Sequence, residues 1–273
     1  MQPTPPIAFS IAGSDPSGGA GIQADLKTFS ALGVYGAAAI TSLTAQNTRE
    51  VQAIHDAPPD FVAHELDCVY EDLEVAATKV GMLSSAALIA TVATRLRAHA
   101  ARNVVVDPVM VAKSGAKLLR DDALEALRRE LVPLASVLTP NLPEAAVLLG
   151  INEAEVLAEP ERACERLHAL GARAIVLKGG HAGGERSDDL VFDGARFQRL
   201  EATRTASRNT HGTGCTFSAA LAALLARGNS VISAAEGAKR FVSAAIVASQ
   251  DWNLGHGHGP VHHFHALWRE GTN

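Results

Sequence analysis

The chain has 273 residues, of which 47% are hydrophobic and 19% are charged, and its formal net charge is -5. This length suits one large α/β domain, and a negative net charge gives no electrostatic reason to bind nucleic acid or an anionic membrane. No apolar run approaches the roughly 20 residues of a membrane span, and the N-terminus does not resemble a secretory signal, so we expect a cytoplasmic protein. The three cysteines, Cys68, Cys164 and Cys215, are widely separated and are expected to be thiols.

Short apolar runs alternate with helical patterns along the chain. Predicted strands cover residues 7–12, 38–45, 76–82, 103–107, 136–141 and 173–180. Predicted helices cover residues 21–33, 59–70, 84–97 and 120–132, and further helices begin at Leu142 and Pro160. The apolar runs are rich in β-branched residues and too short for helices. This alternation predicts an α/β fold with a mostly parallel sheet and helices on both faces.

Residues 188–201 interrupt the alternation. Asp193 and Gly194 separate two strand-like runs there, which is a hairpin signal. The sequence has no linker, repeat or low-complexity tract that would divide it, so we expect one domain over residues 1–273. Ligands bind beyond the carboxyl ends of the strands in an open parallel sheet, so the loops after strands carry the candidate site residues.

The loop after the first strand, residues 13–25, is rich in glycine. Residues 19–24 match the dinucleotide-binding pattern G-x-G-x-x-G/A, but no acidic residue follows about 20 positions later, which disfavours a dinucleotide site. A flexible turn is one interpretation. The other is close approach of the backbone to a ligand at the start of a helix.

The loop after strand 103–107 carries Asp107 beside a proline. Asp107 is placed either to orient a hydrated metal ion or to cap a turn, and the sequence leaves both open. Lys113, Ser114 and Gly115 follow in a polar segment that is either a lid or a plain surface loop.

Two further loops carry charged side chains. Asn141 and Glu144 have the spacing of a capping box, which explains both residues without a function; the alternative is that their oxygens organise Mg²⁺ near nucleotide phosphates. Lys178 leaves a strand just before two glycines. Its ammonium group is placed to meet a phosphate, or else its stem covers apolar surface while the head reaches water.

The stretch 209–228 places Gly212, Thr213, Gly214 and Cys215 at the start of a helix that runs to Arg227. Their backbone N–H groups would form an anion hole at the positive end of the helix dipole. The same field is expected to lower the pKa of Cys215 and make a thiolate available as a proton acceptor. The alternative is that Cys215 is a small buried hydrophobe.

Together these loops have the parts of a phosphoryl-transfer site, although the sequence has neither a P-loop motif nor the protein-kinase signatures. The sequence also resembles the hydroxymethylpyrimidine and phosphomethylpyrimidine kinases of thiamine biosynthesis, which are ribokinase-like. The matching stretches are IAGSDPSGGAGIQADLKTFSALGVYG, TAQNT, KVGML, DPVMVAKSG, LTPNLPEAA, LKGGH, NTHGTGCTFSAALAA and GPVHHFHA.

The resemblance implies a three-layer α/β/α fold with a small hairpin. It implies transfer of phosphate from ATP, with Mg²⁺, to the hydroxymethyl group of 4-amino-5-hydroxymethyl-2-methylpyrimidine and then to the resulting monophosphate. It also implies that the protein is a homodimer. Its other partners would be these small molecules, and it would bind neither nucleic acid nor a membrane.

The resemblance also assigns roles to individual residues. Gln46 would hydrogen-bond the aminopyrimidine in a pocket lined by Gly13, Met82 and Val109. Cys215 stands where most ribokinase-like enzymes have an aspartate base, so it would be the base. The other expected roles are transition-state stabilisation by the amides of Gly212, Thr213 and Gly214, ATP binding by Lys178, Asn141, Glu144, Thr210 and His211, and Mg²⁺ organisation by Asp107, Asn141 and Glu144.

Three other interpretations remain to be compared with the structure. A pyridoxal kinase would use the same scaffold, since pyridoxine also carries a hydroxymethyl group on a heteroaromatic ring. A ligand-sensing module would bind the pyrimidine phosphate without turnover, whereas a dinucleotide-dependent oxidoreductase is disfavoured. The histidines in residues 255–265 are not expected to bind metal but to pack at the domain edge.

Overall fold

The elements follow the chain in an alternating order in the computed structural model, which describes residues 4–112, 115–116, 118–120, 122–180 and 183–268. The strands are β1 (Ile7–Ala12), β2 (Tyr35–Ile40), β3 (Ser42–Gln46), β4 (Val51–Asp56), β5 (Val75–Val80), β6 (Val104–Val106), β7 (Val137–Leu138), β8 (Ile175–Leu177), β9 (Asp189–Phe192) and β10 (Phe197–Leu200). The α-helices are α1 (Gly21–Ala31), α2 (Pro59–Asp72), α3 (Ala86–Ala98), α4 (Ala123–Ala126), α5 (Leu142–Leu149), α6 (Glu153–Ala158), α7 (Pro160–His168), α8 (Thr213–Ala226) and α9 (Val231–Ala248).

The central sheet has eight strands in the order β10-β9-β8-β7-β6-β5-β1-β2. Strands β1, β2, β5, β6, β7 and β8 run parallel, whereas β9 is antiparallel to both β8 and β10. The Oδ1 atom of Asp193 accepts hydrogen bonds from the N–H groups of Ala195 and Arg196 and closes the turn between β9 and β10. The mostly parallel sheet and its hairpin are therefore confirmed.

Helices cover both faces of this sheet. Successive side chains of a strand point to opposite faces. Val104 and Val106 accordingly join one core with α2, α3, α5 and α7, while Val105 joins a second core with α1, α8 and α9. The predicted three-layer α/β/α fold is confirmed.

The apolar run 38–45 was predicted as one strand, which is wrong at Thr41. The chain leaves the central sheet there, and β3 pairs antiparallel with β4 in a separate two-stranded sheet. Thr41 N still donates to Ala12 O at the end of β1, whereas the next residue, Ser42, bonds through its Oγ to Asp56 on β4. The run has the same apolar character on both sides of Thr41, so hydrophobicity alone does not indicate which strand each half pairs with.

The predicted helix 120–132 begins later and changes its form. After α4 the chain continues as a π-helical turn, Leu127–Leu131, and a 3-10 turn, Val132–Leu134. Pro133 has no N–H group and cannot extend the α-helical ladder.

Helices α6 and α9 and strand β4 were not predicted. In the part of the chain that the structure describes, no helix combines the length and the apolarity needed to cross a membrane.

Candidate active site

A cavity of about 610 Å³ lies at the carboxyl ends of the parallel strands and beside the N-terminus of α8. The loops after β1, β5, β6, β7 and β8 meet there, as expected for an open parallel sheet. Every residue that the sequence assigned to a catalytic, substrate, nucleotide or metal site lines this cavity: Gly13, Gln46, Met82, Asp107, Val109, Asn141, Glu144, Lys178, Thr210, His211, Gly212, Thr213, Gly214 and Cys215.

The N-terminus of α8 forms one wall of the cavity. Gly212 is the N-cap residue, with φ +74°, and a Cβ atom there would collide with the carbonyl group of Gly19. Glycine is therefore required at position 212 by both its backbone conformation and this close approach. The amides of Gly214 and Cys215 lie in the first turn, where N–H groups have no acceptor within the helix.

Cys215 lines the cavity and is half-buried. Burial raises the pKa of its thiol to about 11, and the charge of Lys79 and a backbone N–H from Gly21 offset this only in part. The expected lowering of the Cys215 pKa is therefore wrong, because the loss of hydration outweighs the charge of Lys79 and the Gly21 hydrogen bond. At neutral pH the side chain is a thiol.

A buried ion pair beside Cys215 was not predicted. Lys79 on β5 lies 2.8 Å from Asp25 on α1, and both side chains are fully buried. Asp25 Oδ2 also accepts a hydrogen bond of 2.6 Å from Ser10 Oγ. Although burial alone would lower the pKa of Lys79, the Asp25 carboxylate raises it above its usual range. The only signals in the sequence were a lysine inside an apolar strand and an aspartate on the apolar face of a helix.

Lys178 and Asp107 form a second ion pair, with Nζ 2.8 Å from Oδ1. A Cβ atom at Gly214 would lie 3.5 Å from Lys178 Nζ and 3.9 Å from Asp107 Oδ2, so the pair lies against the first turn of α8. Burial alone would raise the pKa of Asp107, but Lys178 and Lys79 hold it below its usual range. The ammonium group of Lys178 thus lies in the site rather than in bulk water.

Asn141 and Glu144 form the predicted capping box at the start of α5. Glu144 N donates to Asn141 Oδ1 and Asn141 N donates to Glu144 Oε2, both at 2.8 Å. Burial raises the pKa of Glu144 to about 7. The negative charge of Asp107 adds to this rise, and the positive charge of Lys178 opposes it. Within the described residues, no three His, Cys, Asp or Glu side chains are grouped so as to hold a metal ion by themselves.

A second wall of the cavity, which we call the substrate wall, carries the predicted substrate residues. A Cβ atom at Gly13 would lie 3.1 Å from Met82 Sδ, so the two are in contact. Gln46, at the end of β3, lies 3.3 Å from His211, and His211 lies 2.7 Å from Asp15. Asp15 was not predicted as a site residue, and His211 contacts the substrate wall although the sequence assigned it to the nucleotide.

Two remaining sequence interpretations concern segments beside the cavity. Lys113 and Ser114 of the proposed lid lie outside the described residues. In the histidine-rich segment, His263 Nε2 lies 3.1 Å from Thr216 Oγ1 and the carbonyl of Gly259 accepts from His211 N. The segment therefore packs against the start of α8, and burial lowers the pKa of His263 to about 3.

Comparison with known proteins supports a single family. A profile described as phosphomethylpyrimidine kinase matches residues 15–262. The hydroxymethylpyrimidine/phosphomethylpyrimidine kinase of Rhizobium meliloti (strain 1021) is 54% identical over 264 residues, which cover 97% of this chain and 99% of that protein.

Solved structures agree with this assignment. The ADP complex of Bacillus subtilis pyridoxal kinase is similar with a TM-score of 0.89 and 38% identity, over 97% of this chain and 100% of that one. Phosphomethylpyrimidine kinase from Clostridium difficile 630 is similar with a TM-score of 0.77 and 39% identity, over 88% of this chain and 99% of that one. The chain belongs to the phosphomethylpyrimidine kinase family.

Proposed function

We propose that this protein transfers the γ-phosphoryl group of ATP to 4-amino-5-hydroxymethyl-2-methylpyrimidine and then to its monophosphate, giving the diphosphate used in thiamine diphosphate biosynthesis. One observation carries the proposal: a single cavity joins a wall that suits a small heteroaromatic ring to a helix N-terminus that suits a phosphate. Family membership and the ADP complex of the pyridoxal kinase relative support the kinase chemistry.

One wall of the cavity would bind the acceptor alcohol, and the other would bind the phosphate groups of ATP. Gln46 would hydrogen-bond the pyrimidine, with Gly13, Met82 and Val109 around the ring. At the other wall, the amides of the first turn of α8 and the Lys178 ammonium would bind phosphate oxygens. Because these donors are already fixed by the fold, they need not reorganise as charge moves during the transfer.

The transfer requires a new bond and a proton acceptor. The hydroxymethyl oxygen bonds to the γ phosphorus, the bond from that phosphorus to the bridging oxygen breaks, and ADP leaves with the electron pair. The alcohol proton passes to the thiolate form of Cys215. The thiol, which predominates at neutral pH, cannot accept it, so the rate of this transfer follows the small thiolate fraction. In the second transfer the acceptor is a phosphate oxygen that is already ionised, so it needs no base.

Magnesium fits the charged wall of the cavity. Asp107, Asn141 and Glu144 present oxygen atoms near Lys178, and Mg²⁺ prefers a few carboxylates together with waters and phosphate oxygens. These residues would hold the ion directly or through its water shell. The ion would supply positive charge to the phosphate oxygens. Lys178, already paired with Asp107, holds a second positive charge at the same place.

Replacing Glu144 with glutamine separates the capping role from the role toward Mg²⁺, since glutamine also completes a capping box. Burial raises the pKa of Glu144 from 4.5 to about 7, so its contribution to stability is present below pH 4.5 and is lost as the pH rises through 7. Glutamine does not ionise. We expect Glu144→Gln to be no less stable than wild type at pH 8 and to need roughly tenfold more Mg²⁺ for half-maximal activity.

The chain contains a matched control for this experiment. Asn152 and Glu155 form a second capping box, at the start of α6, which is exposed and does not line the cavity. Glu155→Gln should leave the Mg²⁺ requirement unchanged. Should Glu144→Gln also leave it unchanged, Glu144 would be a capping residue and nothing more.

Product analysis tests the function itself. The protein is incubated with Mg-ATP and, separately, the pyrimidine alcohol, its monophosphate and pyridoxal, and the phosphorylated products are resolved. We expect turnover of both pyrimidines. A pyridoxal kinase is the second candidate, because the similar solved structures include the Bacillus subtilis enzyme. A higher kcat/KM for pyridoxal would favour that candidate, and no ATP consumption with any acceptor would favour a sensing module.

We further infer one domain over residues 1–273, a homodimer and a cytoplasmic location. The two-stranded sheet exposes Leu43, Ala45 and Ala53 on one face, which supports self-association. All cysteines are free thiols, which fits a reducing compartment. Sedimentation of the wild-type protein would test the dimer, since a monomer at micromolar concentration would contradict it.

A further inference from the structure

His211 is held between a carboxylate and the amide of Gln46. His211 Nε2 lies 2.7 Å from Asp15 Oδ2 and 3.3 Å from the Gln46 side-chain amide, and its side chain is buried. Asp15 is itself fixed, since it accepts hydrogen bonds from Ser17 N, Ser17 Oγ and Ala20 N. The imidazole therefore has little freedom to change its orientation.

The charge of Asp15 decides which ring nitrogen of His211 carries a proton. Burial alone would raise the pKa of Asp15, but the hydrogen bonds from His211 and Ser17 lower it to about 2. An ionised carboxylate only accepts hydrogen bonds, so the 2.7 Å contact requires a proton on His211 Nε2. The structure places Gln46 Nε2 3.3 Å from this nitrogen, but a protonated ring nitrogen has no lone pair with which to accept from an amide N–H. The amide end that suits His211 is therefore the oxygen, which requires the two ends of the Gln46 amide to be exchanged.

Thr44 independently indicates the same orientation of the Gln46 amide. The Thr44 hydroxyl donates its one proton to Ser14 O at 2.9 Å. The structure places Gln46 Oε1 3.4 Å from the same hydroxyl, which then has no proton left for it. Exchanging the two ends of the amide puts its nitrogen there, and Thr44 Oγ1 can accept from that nitrogen. With its oxygen toward His211 and its nitrogen toward Thr44, Gln46 satisfies both neighbours. One lone pair and one N–H of the amide then remain for a ligand.

We propose that His211, held by Asp15, is a positioning residue that fixes the Gln46 amide in one orientation and so selects 4-aminopyrimidines over 4-oxopyrimidines. In a 4-aminopyrimidine the amino group is a donor and the adjacent ring nitrogen is an acceptor. The amide oxygen of Gln46 can accept from the first while its nitrogen donates to the second, as when glutamine recognises adenine. The 4-oxo compound presents the reverse order at the same edge. An amide that is free to turn over recognises both; a fixed amide recognises one.

The proposal rests on the pyrimidine kinase function proposed above and is tested with the full-length protein. The measurements are kcat/KM for the 4-amino and 4-oxo pyrimidine alcohols, KM for ATP, and equilibrium binding of each alcohol without ATP. Removing one partner of a buried hydrogen bond costs about 1–3 kcal/mol, or roughly 5- to 150-fold. We expect His211→Ala to lower the preference for the 4-amino alcohol by at least about tenfold, mainly through its KM and Kd, with KM for ATP unchanged.

Two more variants separate positioning from general damage. In His211→Gln the side-chain amide keeps a donor for Asp15 and Gln46, so it should restore part of the preference. His263→Ala is the matched control, because His263 is also buried beside α8 but bonds Thr216 rather than Gln46. It should retain the wild-type preference even where it lowers stability.

Different outcomes would overturn different statements. A His211→Ala variant with the wild-type preference, or with a raised KM for ATP alone, would remove His211 from pyrimidine selection, and the second result would assign it to the nucleotide. Equal losses in His211→Ala and His263→Ala would show a structural role only. Failure of the wild-type protein to bind or phosphorylate either alcohol would instead contradict the proposed function.

Discussion

Replacing Cys215 with alanine is expected to lower kcat for the pyrimidine alcohol by about 10²- to 10⁴-fold, the range that a general base contributes, with a much smaller effect on KM. Cys215 lines the cavity beside the α8 amides, and the contact that alanine would lose, from the backbone N–H of Gly21, lies within the protein rather than with the substrate. Phosphorylation of the monophosphate should fall far less, since its acceptor oxygen needs no base. Rapid-quench measurement of both transfers in one preparation checks this.

The pH dependence of the first transfer sharpens the test. Burial raises the pKa of Cys215 to about 11, so the thiolate fraction, and kcat with it, should keep rising with pH through the neutral range. Cys215→Asp places a carboxylate at the position of the thiol. The kcat of this variant should change little with pH across the neutral range. Cys68→Ala, which removes an exposed thiol, is the control. An undiminished kcat in Cys215→Ala would exclude the thiol from proton transfer.

Replacing Lys79 with methionine is expected to lower the free energy of unfolding by about 3–5 kcal/mol, because it leaves the Asp25 carboxylate buried without its counter-charge. Both side chains are fully buried, and among the residues that the structure describes Asp25 Oδ1 has no hydrogen-bond partner. Urea denaturation followed by circular dichroism measures the loss. The double variant Lys79→Met with Asp25→Asn should recover a large part of it, since no unpaired charge then remains.

An exposed pair provides the comparison. Arg162 and Glu159 are 2.9 Å apart, close to the 2.8 Å of Lys79 and Asp25, but both are exposed, and Arg162→Met should cost less than about 1 kcal/mol. Equal losses in Lys79→Met and in the double variant would mean that packing, rather than the uncompensated charge, accounts for the effect.

The sequence predicts those features that depend on near neighbours in the chain. The capping box of Asn141 and Glu144 follows from a spacing of three residues, and the hairpin follows from the Asp193-Gly194 pair, although the connection in the structure spans residues 193–196. The three-layer fold follows from the alternation of short apolar runs with helices. The cavity then follows from the loops after the strands.

Features that depend on distant contacts were missed or wrong. The pKa of Cys215 is set by burial under neighbouring elements, which the local helix pattern does not reveal. The pair of Lys79 and Asp25 joins residues 54 positions apart, and His211 and Asp15 are 196 positions apart. No spacing rule connects such residues, because the chain between them forms whole layers of the fold.

Gly19 and Gly212 bring two distant loops into backbone contact, and a side chain at either position would press on the other loop or on His211. The loop that holds Asp15 and the start of α8, where we propose that phosphate binds, are therefore coupled sterically. A saturation library at either position, selected for growth without thiamine, should return glycine alone. If the two loops bind the acceptor and the phosphate as proposed, both contacts are adjusted as one rigid unit, and a redesign of acceptor preference has to leave this junction intact.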